Sequence, residues 1–146
     1  MMRSVKFALK IGGILAAVVA AVIGVAIYTG KLNRPICWQL AQGYRGWMVM
    51  KFSNLDCPPL TKEGIYLLIP ISASGRGCTS SPIPEGWRYV RYESISSQGE
   101  RNKIRADGWN TNSMIWSIAV NRERKEWYLF VGTQQELRRS GGSQPH

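Results

Sequence analysis

The longest uninterrupted apolar stretch of the chain covers residues 11–28, which contain no charged residue, no proline and no side-chain amide. A helix of this length rises about 27 Å, close to the roughly 30 Å hydrocarbon core of a bilayer. Basic residues flank it on both sides: Arg3, Lys6 and Lys10 before it, Lys31 and Arg34 after it. The positive-inside rule then keeps residues 1–10 in the cytoplasm. The pattern predicts a single-pass transmembrane helix over 11–28, with the remaining chain in the periplasm or outside the cell.

One alternative for this stretch is a cleaved signal peptide. A basic segment followed by an apolar run fits such a peptide, and Gly24-Val25-Ala26 has the small-x-small spacing of a cleavage site. The run is longer than the usual apolar region of about 7–15 residues, which favours a retained anchor. A lipid-anchored cysteine is disfavoured, because Cys37 follows Arg34-Pro35-Ile36 rather than small apolar residues.

Small residues recur at every fourth position along the apolar run, and such a track lets two helices approach closely in lipid. We therefore consider self-association through this face as a hypothesis, beside the simpler explanation that alanine and glycine are common in membrane anchors. The residues of the track are Gly12, Ala16, Ala20 and Gly24.

After a linker over 29–36, residues 37–139 carry short apolar or alternating runs separated by turn residues. The runs lie at 47–52, 65–69, 87–92, 102–105, 114–120 and 127–131. This spacing is typical of a small antiparallel β-sandwich or barrel. Residues 121–126 are expected to form an exposed hairpin tip, and 72–85 a long loop.

A short C-terminal helix is expected after Thr133. Thr133 and Glu136 have the spacing of a capping box, in which both side chains satisfy free amides at a helix start. The helix should end near Arg139, and the composition of residues 140–146 indicates a disordered tail. The expected organisation is therefore a basic N-terminus, an anchor, a linker, an extracytoplasmic mainly β domain and a tail.

The chain is strongly basic, with 19 Lys and Arg against 9 Asp and Glu and a net charge of +10. The basic residues are scattered, so the charge predicts a solvated surface or contact with an anionic lipid or an anionic wall polymer. No dense basic run is present, and we expect no nucleic-acid partner.

Three cysteines follow the anchor: Cys37, Cys57 and Cys78. An extracytoplasmic location permits a disulfide. The pattern favours Cys57–Cys78, with Cys37 free or paired between chains. The alternative is three reduced, partly buried thiols.

The sequence contains a single histidine, His146, at the end of the expected tail. Histidine is the usual base of a catalytic cysteine or serine and a common zinc ligand, so these chemistries are not expected. We therefore predict no catalytic residue, no metal site and no cofactor. Carboxylates are available for acid–base work, although their spacing selects no pair: Asp56, Glu63, Glu85, Glu93, Glu100 and Asp107.

Most tryptophans fall at or within the strand candidates and are expected in the core. Trp109 differs, because it lies in a polar, turn-rich segment with Asn110 and Asn112. An exposed tryptophan beside amides could stack on a sugar or contact a lipid interface. The alternative is a loop tryptophan folded back over the core, in keeping with the high average burial of this residue.

The segment Gly43-Tyr44-Arg45-Gly46-Trp47, followed by Met48 to Phe52, resembles the opening motif of an uncharacterised family of small bacterial extracytoplasmic domains. Further matching pieces are Cys57-Pro58-Pro59-Leu60, Gly77 to Pro82, Gly86-Trp87 and Ser113 to Trp116. The family resemblance implies a β-rich fold carried behind a signal sequence, a lipid anchor or one transmembrane helix. It has no established activity, so it supplies no functional residues.

Together these patterns predict a membrane-anchored extracytoplasmic binding or interaction module without catalysis. Its partners would be the lipid bilayer through residues 11–28 and a membrane protein or a second copy of the chain. The alternatives are a small cell-envelope enzyme that uses carboxylates, or an accessory subunit of a membrane complex.

Overall fold

The computed structural model describes residues 2–28, 33–106 and 113–141, and within its first helix it describes the side chains of 13–26. The chain divides into two compact units, Met1–Arg34 and Pro35–His146. We call the second the β-rich unit.

Helix α1 (Met2–Tyr28) occupies the first unit and contains the predicted apolar stretch. Among the residues that the structure describes, no helix is both long and apolar enough to cross a membrane. The structure therefore shows a helix over 11–28 but not the transmembrane helix that the sequence predicts there.

The β-rich unit contains nine described strands and one short helix. Their bounds are β1 (Ile36–Ala41), β2 (Gly46–Lys51), β3 (Thr61–Glu63), β4 (Tyr66–Pro70), β5 (Arg76–Cys78), β6 (Val90–Ile95), β7 (Arg101–Lys103), β8 (Ile115–Asn121), β9 (Glu126–Val131) and α2 (Gln134–Arg139).

The strands form two mixed sheets, a five-stranded sheet in the order β3-β4-β1-β6-β7 and a four-stranded sheet in the order β5-β2-β9-β8. Strand β1 runs parallel to both neighbours, β4 and β6, and β2 runs parallel to β5. The remaining pairs are antiparallel. The mainly β prediction is confirmed, whereas the prediction of a purely antiparallel sheet is wrong at the three parallel pairs.

Both sheets contribute to one hydrophobic core. Trp38 of β1 stacks on Trp127 of β9 with ring centroids 5.9 Å apart, and Phe52 contacts the same Trp127 ring at 5.4 Å. Buried residues of β1, β2, β4, β6, β8 and β9 complete the cluster. These aromatic side chains pack between the two sheets. The face of each sheet that points away from this core is therefore the face on which a site can form.

Three segments differ from their predicted assignments. Strand β1 begins at Ile36, the last residue of the predicted linker, and β5 lies within the predicted loop over 72–85. The predicted strand over 87–92 begins only at Val90, so the tryptophan at its start lies outside the sheet.

The C-terminal helix has the predicted cap. Thr133 accepts a hydrogen bond from the Glu136 amide, and the Glu136 carboxylate accepts one from the Thr133 amide. The turn of 122–125 joins β8 to β9, as expected for a hairpin tip.

Candidate functional site

The outer face of the five-stranded sheet carries a cluster of polar side chains. Strand side chains alternate between faces, so Cys37 and Gln39 lie opposite the core residues of β1. The parallel register places Cys37 beside Arg91 and Gln39 beside Glu93. We call these four residues the polar face.

The polar face is joined by charge-assisted contacts. The Cys37 thiol donates to Glu93 Oε2 at 3.3 Å, and Arg91 Nη2 lies 2.8 Å from Glu93 Oε1. The Arg91 guanidinium also lies 4.3 Å from the centre of the Tyr66 ring, a cation–π contact that crosses β1. Glu93 is 8% exposed, and its charge is balanced by this arginine.

An ion pair joins the two edges of the same sheet. Arg101 of β7 donates two hydrogen bonds to the carboxylate of Glu63 on β3, one of them 2.8 Å long. In a flat sheet, strands four places apart would be separated by about 19 Å. A direct contact between the edge strands therefore means that the sheet curls around the polar face.

Two titratable side chains of this sheet have pKa shifts opposite to those that a nucleophile or a catalytic acid needs. Burial raises the pKa of the Cys37 thiol, so the thiol is protonated and a weak nucleophile at neutral pH. The hydrogen bonds from Arg101 hold the pKa of Glu63 below its usual range, which is opposite to the shift that a catalytic acid needs.

Among the residues that the structure describes, two buried polar atoms of the polar face have no hydrogen-bond partner, Gln39 Nε2 and Arg91 Nε. Both atoms are donors, so this part of the face has capacity to bind an acceptor. Within the described ranges, no cluster of three or more His, Cys, Asp or Glu is arranged to hold a metal ion.

An open pocket of about 400 Å³ lies on the other sheet, at the point where β2 is flanked by β5 and β9. Lys51 is opposite Cys78 on one side and opposite Glu126 on the other, and Arg76 is opposite Val49. Lys51 and Arg76 are exposed, so the pocket presents two cations and one carboxylate to solvent. Its lining residues are Val49, Lys51, Arg76, Gly77, Cys78 and Glu126.

A third surface lies where the three parallel strands begin. Trp87 is 89% exposed, Tyr89 54% and Ile65 41%. We call these three residues the aromatic end. The expectation that Trp87 packs in the core is wrong, because the strand starts three residues later and leaves this side chain outside.

The structure brings two of the sequence-predicted site residues together. Cys57 and Cys78 form a disulfide, the pairing that the sequence favours, and Cys37 is a buried free thiol. Its burial argues against a bond between chains. Trp109, Asn110 and Asn112 lie outside the described residues.

The small-residue track, Gly12, Ala16, Ala20 and Gly24, lies within α1. Ala16 and Ala20 are exposed, and a Cβ atom added at Gly24 would meet no atom within 4 Å. The track is therefore open over its described part in a single chain.

Sequence reasoning missed both the polar face and the aromatic end. The alternation in Trp87-Arg88-Tyr89-Val90-Arg91-Tyr92 carried a usable signal. With Tyr92 in the core, its neighbour Arg91 in β6 must face the other way, which places Arg91 on the polar face. The thiol–carboxylate pair has no such signal, because 56 residues separate Cys37 from Glu93.

A comparison with solved structures finds a similar fold in a bacterial protein. The crystal structure of a "Putative Lipoprotein from Bacillus anthracis" matches with a TM-score of 0.57 and 19% sequence identity, over 78% of this chain and 82% of that one. At this identity the match shows a shared fold. No curated protein matches the chain.

The family comparison covers most of the β-rich unit. Residues 37–136 match the model described as "Family of unknown function (DUF6843)". The match confirms the resemblance to an uncharacterised domain family. It includes the strands that form the polar face and the open pocket. The chain belongs to this family of unknown function.

Proposed function

We propose that this protein is a membrane-anchored, extracytoplasmic binding module without catalytic activity of its own. In this proposal α1 spans the cell membrane over residues 11–28, residues 1–10 lie in the cytoplasm, and the β-rich unit is displayed outside. The open pocket between β5, β2 and β9 takes an anionic group.

The observation that carries the proposal is the character of α1. Every residue from 13 to 26 is apolar, and seven large side chains of this segment are 48–66% exposed. A helix that is apolar on all sides needs cover from a protein core or a bilayer, since a surface helix would have one polar side. Lipid supplies that cover without a partner chain.

Two observations support an extracytoplasmic location. The Cys57–Cys78 disulfide suits an oxidising compartment, because disulfides are rare where thiols are kept reduced. The structural neighbour from Bacillus anthracis is described as a "Putative Lipoprotein", and a lipoprotein is held at a membrane surface by its lipid.

Three described carboxylates already have structural partners, which favours a binding module over a carboxylate enzyme. Glu63 and Glu93 each pair with an arginine, and Glu136 serves a helix cap. An acid–base pair would instead need two carboxylates with pKa values pushed apart. Lys51 and Arg76 in the open pocket give it the charge to bind phosphate or carboxylate groups of a lipid or wall polymer.

Orientation can be measured with single reporter cysteines in the full chain. The native cysteines give low background, because two are bonded and the third is buried. Gln98→Cys should react with a membrane-impermeant maleimide on intact cells, whereas Ser4→Cys should react only after permeabilisation. Wild-type protein is the control. The opposite pattern, release by alkaline carbonate, or a mature chain that begins at Ile27 would refute the anchor.

Binding can be measured by calorimetry on the full chain in detergent, with soluble polyphosphate as an anionic probe. Replacement of one charged contact, in Lys51→Gln or Arg76→Gln, should weaken binding about tenfold. Lys62→Gln is the matched control, since Lys62 is an exposed lysine of the other sheet. Equal losses in all three variants, or no binding by wild type, would contradict the pocket assignment.

A further inference from the structure

We propose that the polar face is a binding site for a small carboxylate, and that the Arg101–Glu63 ion pair closes this site. The open pocket lies on the four-stranded sheet, so the polar face is separate from the anion site proposed above. Three features of the five-stranded sheet support it: unpartnered donors, an enclosed face with a surplus of positive charge, and a weak closure at the sheet edges.

Two buried donors on this face are available to a ligand. Gln39 is 9% exposed, and its Nε2 atom has no hydrogen-bond partner within the described part of the chain. The same holds for Arg91 Nε, although Arg91 Nη2 contacts Glu93. Buried polar groups almost always have a partner, so two unpartnered donors on neighbouring strands favour a ligand with acceptor oxygens.

The polar face is enclosed although it points away from the main core. Cys37 and Glu93 are buried, and so is Leu68, which lies beside Cys37 on β4. Side chains on a flat outer face would be open to solvent on one side. The burial agrees with the curl of the sheet, and a hydrogen bond made inside the curl is shielded from water.

The charge of the face favours a carboxylate over a neutral acceptor. Arg91 pairs with Glu93, and Arg101 pairs with Glu63. Lys103 lies opposite Glu93 in the register of β7 and β6, so it brings a third cation to a face with two carboxylates. A carboxylate ligand has two acceptor oxygens and one negative charge, which match the two donors and the additional cation.

The ion pair between the sheet edges is a closure that can open to admit a ligand. Arg101 and Glu63 are both exposed, and they lie on β7 and β3, which are exposed strands of three residues each. Exposed ion pairs contribute little to stability, and weakly packed edges open locally more easily than the core. Opening at this pair gives access to the polar face without unfolding the rest of the sheet.

The Cys37 thiol reports on the state of the face, because it is buried there and is free to react once the face opens. The full chain in detergent is treated with N-ethylmaleimide, and the labelling of Cys37 is followed by mass spectrometry. Sodium acetate is the probe, and sodium chloride at the same concentration is the salt control. Acetate should slow the labelling about fivefold relative to chloride, because a bound ligand stabilises the closed face.

Gln39→Leu removes one of the donors and should abolish this protection, because acetate then loses a hydrogen bond inside the face. Gln98→Leu is the matched control and should keep the protection, since Gln98 is exposed in the turn after β6. If Gln39→Leu loses cooperative thermal unfolding, Gln39→Glu is the second variant, because its carboxylate repels acetate. Protection that persists in the Gln39 variant, or equal labelling of wild type in acetate and chloride, overturns the proposal.

Glu63→Gln tests the closure. The variant weakens the ion pair with Arg101 and should speed the labelling of Cys37 in chloride about threefold, the effect expected for an exposed ion pair. Glu100→Gln is the matched control, since Glu100 is an exposed carboxylate directly before β7. An unchanged rate in Glu63→Gln, or an equal increase in both variants, would refute the closure.

Discussion

At the scale of single residues, Gly77 occupies a position in β5 where no larger side chain fits. A Cβ atom added there would lie 2.6 Å from Met50 Sδ, 2.7 Å from the Pro70 carbonyl oxygen and 2.9 Å from Ile71 Cδ1. The residue allows β5 to approach both sheets beside the disulfide. Its role is therefore steric, and it lies in the wall of the open pocket only because β5 does.

Gly77→Ala should lower the free energy of unfolding by about 1–3 kcal/mol, since overpacking a filled site costs this much. Ile71→Val removes the methyl group nearest to the new Cβ. The double variant should therefore be more stable than the sum of the single effects predicts, in urea unfolding of both single variants and the pair. Strict additivity would show that the clash with Ile71 is not part of the cost.

Tyr92 links stability to alkaline pH. Burial raises the pKa of Tyr92 to about 12, above its ordinary value of 10.0. The folded state holds this proton more tightly than the unfolded state. The stabilisation is thus complete below pH 10 and is lost as the pH rises through about 12.

Between pH 10 and 12, this group should reduce the free energy of unfolding by about 1.4 kcal/mol per pH unit. Tyr92→Phe lacks the proton and should show a shallower decline over the same interval, measured by brief urea titrations at each pH. A decline parallel to that of wild type would assign the alkaline loss to other groups.

At the scale of elements, β1 shows what the sequence could not reveal. Five of its six residues are buried, so the strand lacks the alternation of apolar and polar positions that marks a half-exposed strand. Its two neighbours come from distant parts of the chain, and nothing local specifies parallel pairing. The polar face, which depends on that pairing, was hidden for the same reason.

Short strands were missed for a different reason. β3 is a polar edge strand of three residues, and β5 has three residues beside the disulfide, so neither has room for a pattern. Elements with local rules were predictable. The strands β2, β4, β8 and β9 follow their apolar runs, and α2 follows its capping box.

The cap of α2 should be separable from the stability of the unit, because α2 contains no buried residue. Thr133→Ala removes one cap acceptor, a change that typically costs about 1 kcal/mol of helix stability. We expect faster hydrogen exchange at the amides of 136–140 and an unchanged unfolding midpoint. Lys62→Ala, on a distant strand, is the control.

The same cap should respond to acid. Hydrogen bonds from the Thr133 backbone and side chain hold the pKa of Glu136 below its usual range. The cap is therefore intact at neutral pH and is lost as the pH falls below about 4.5 through the folded pKa. If exchange in 136–140 is insensitive to Thr133→Ala at neutral pH, the cap does not control the helix.

At the scale of the whole molecule, the disulfide holds a short edge strand to the sheet. β5 pairs with β2 over three residues. The Cys57–Cys78 disulfide also joins β5 to the segment that follows β2, and the two cysteines are 21 residues apart in the sequence. Closing a loop of this size stabilises a fold by roughly 3 kcal/mol when the unfolded chain is constrained. The bond therefore supports the pocket wall as well as the fold.

Cys57→Ser with Cys78→Ser should lower the free energy of unfolding by roughly 3 kcal/mol, measured by urea unfolding. The double variant avoids exchange of a lone sulfur with Cys37. Wild type treated with a reductant should show the same loss. A cysteine map with a Cys37–Cys57 peptide, or unchanged stability in the double variant, would contradict the bond as a main support of the fold.

The mainly β fold and the Cys57–Cys78 pairing were predictable from sequence, because they depend on the spacing of apolar runs and on cysteine usage. The surfaces that could bind were not. The polar face needs the curl of a five-stranded sheet, the open pocket needs β5 beside β2, and the aromatic end needs the true start of β6.

The central position of β1 has a consequence for biogenesis. β1 is the first strand to be synthesised, yet its two partners end only at Pro70 and Ile95. While those segments are still being made or exported, Ile36, Trp38 and Leu40 have no sheet to join, and exposed apolar strands invite aggregation. The five-stranded sheet can therefore close around β1 only after β6 has been synthesised.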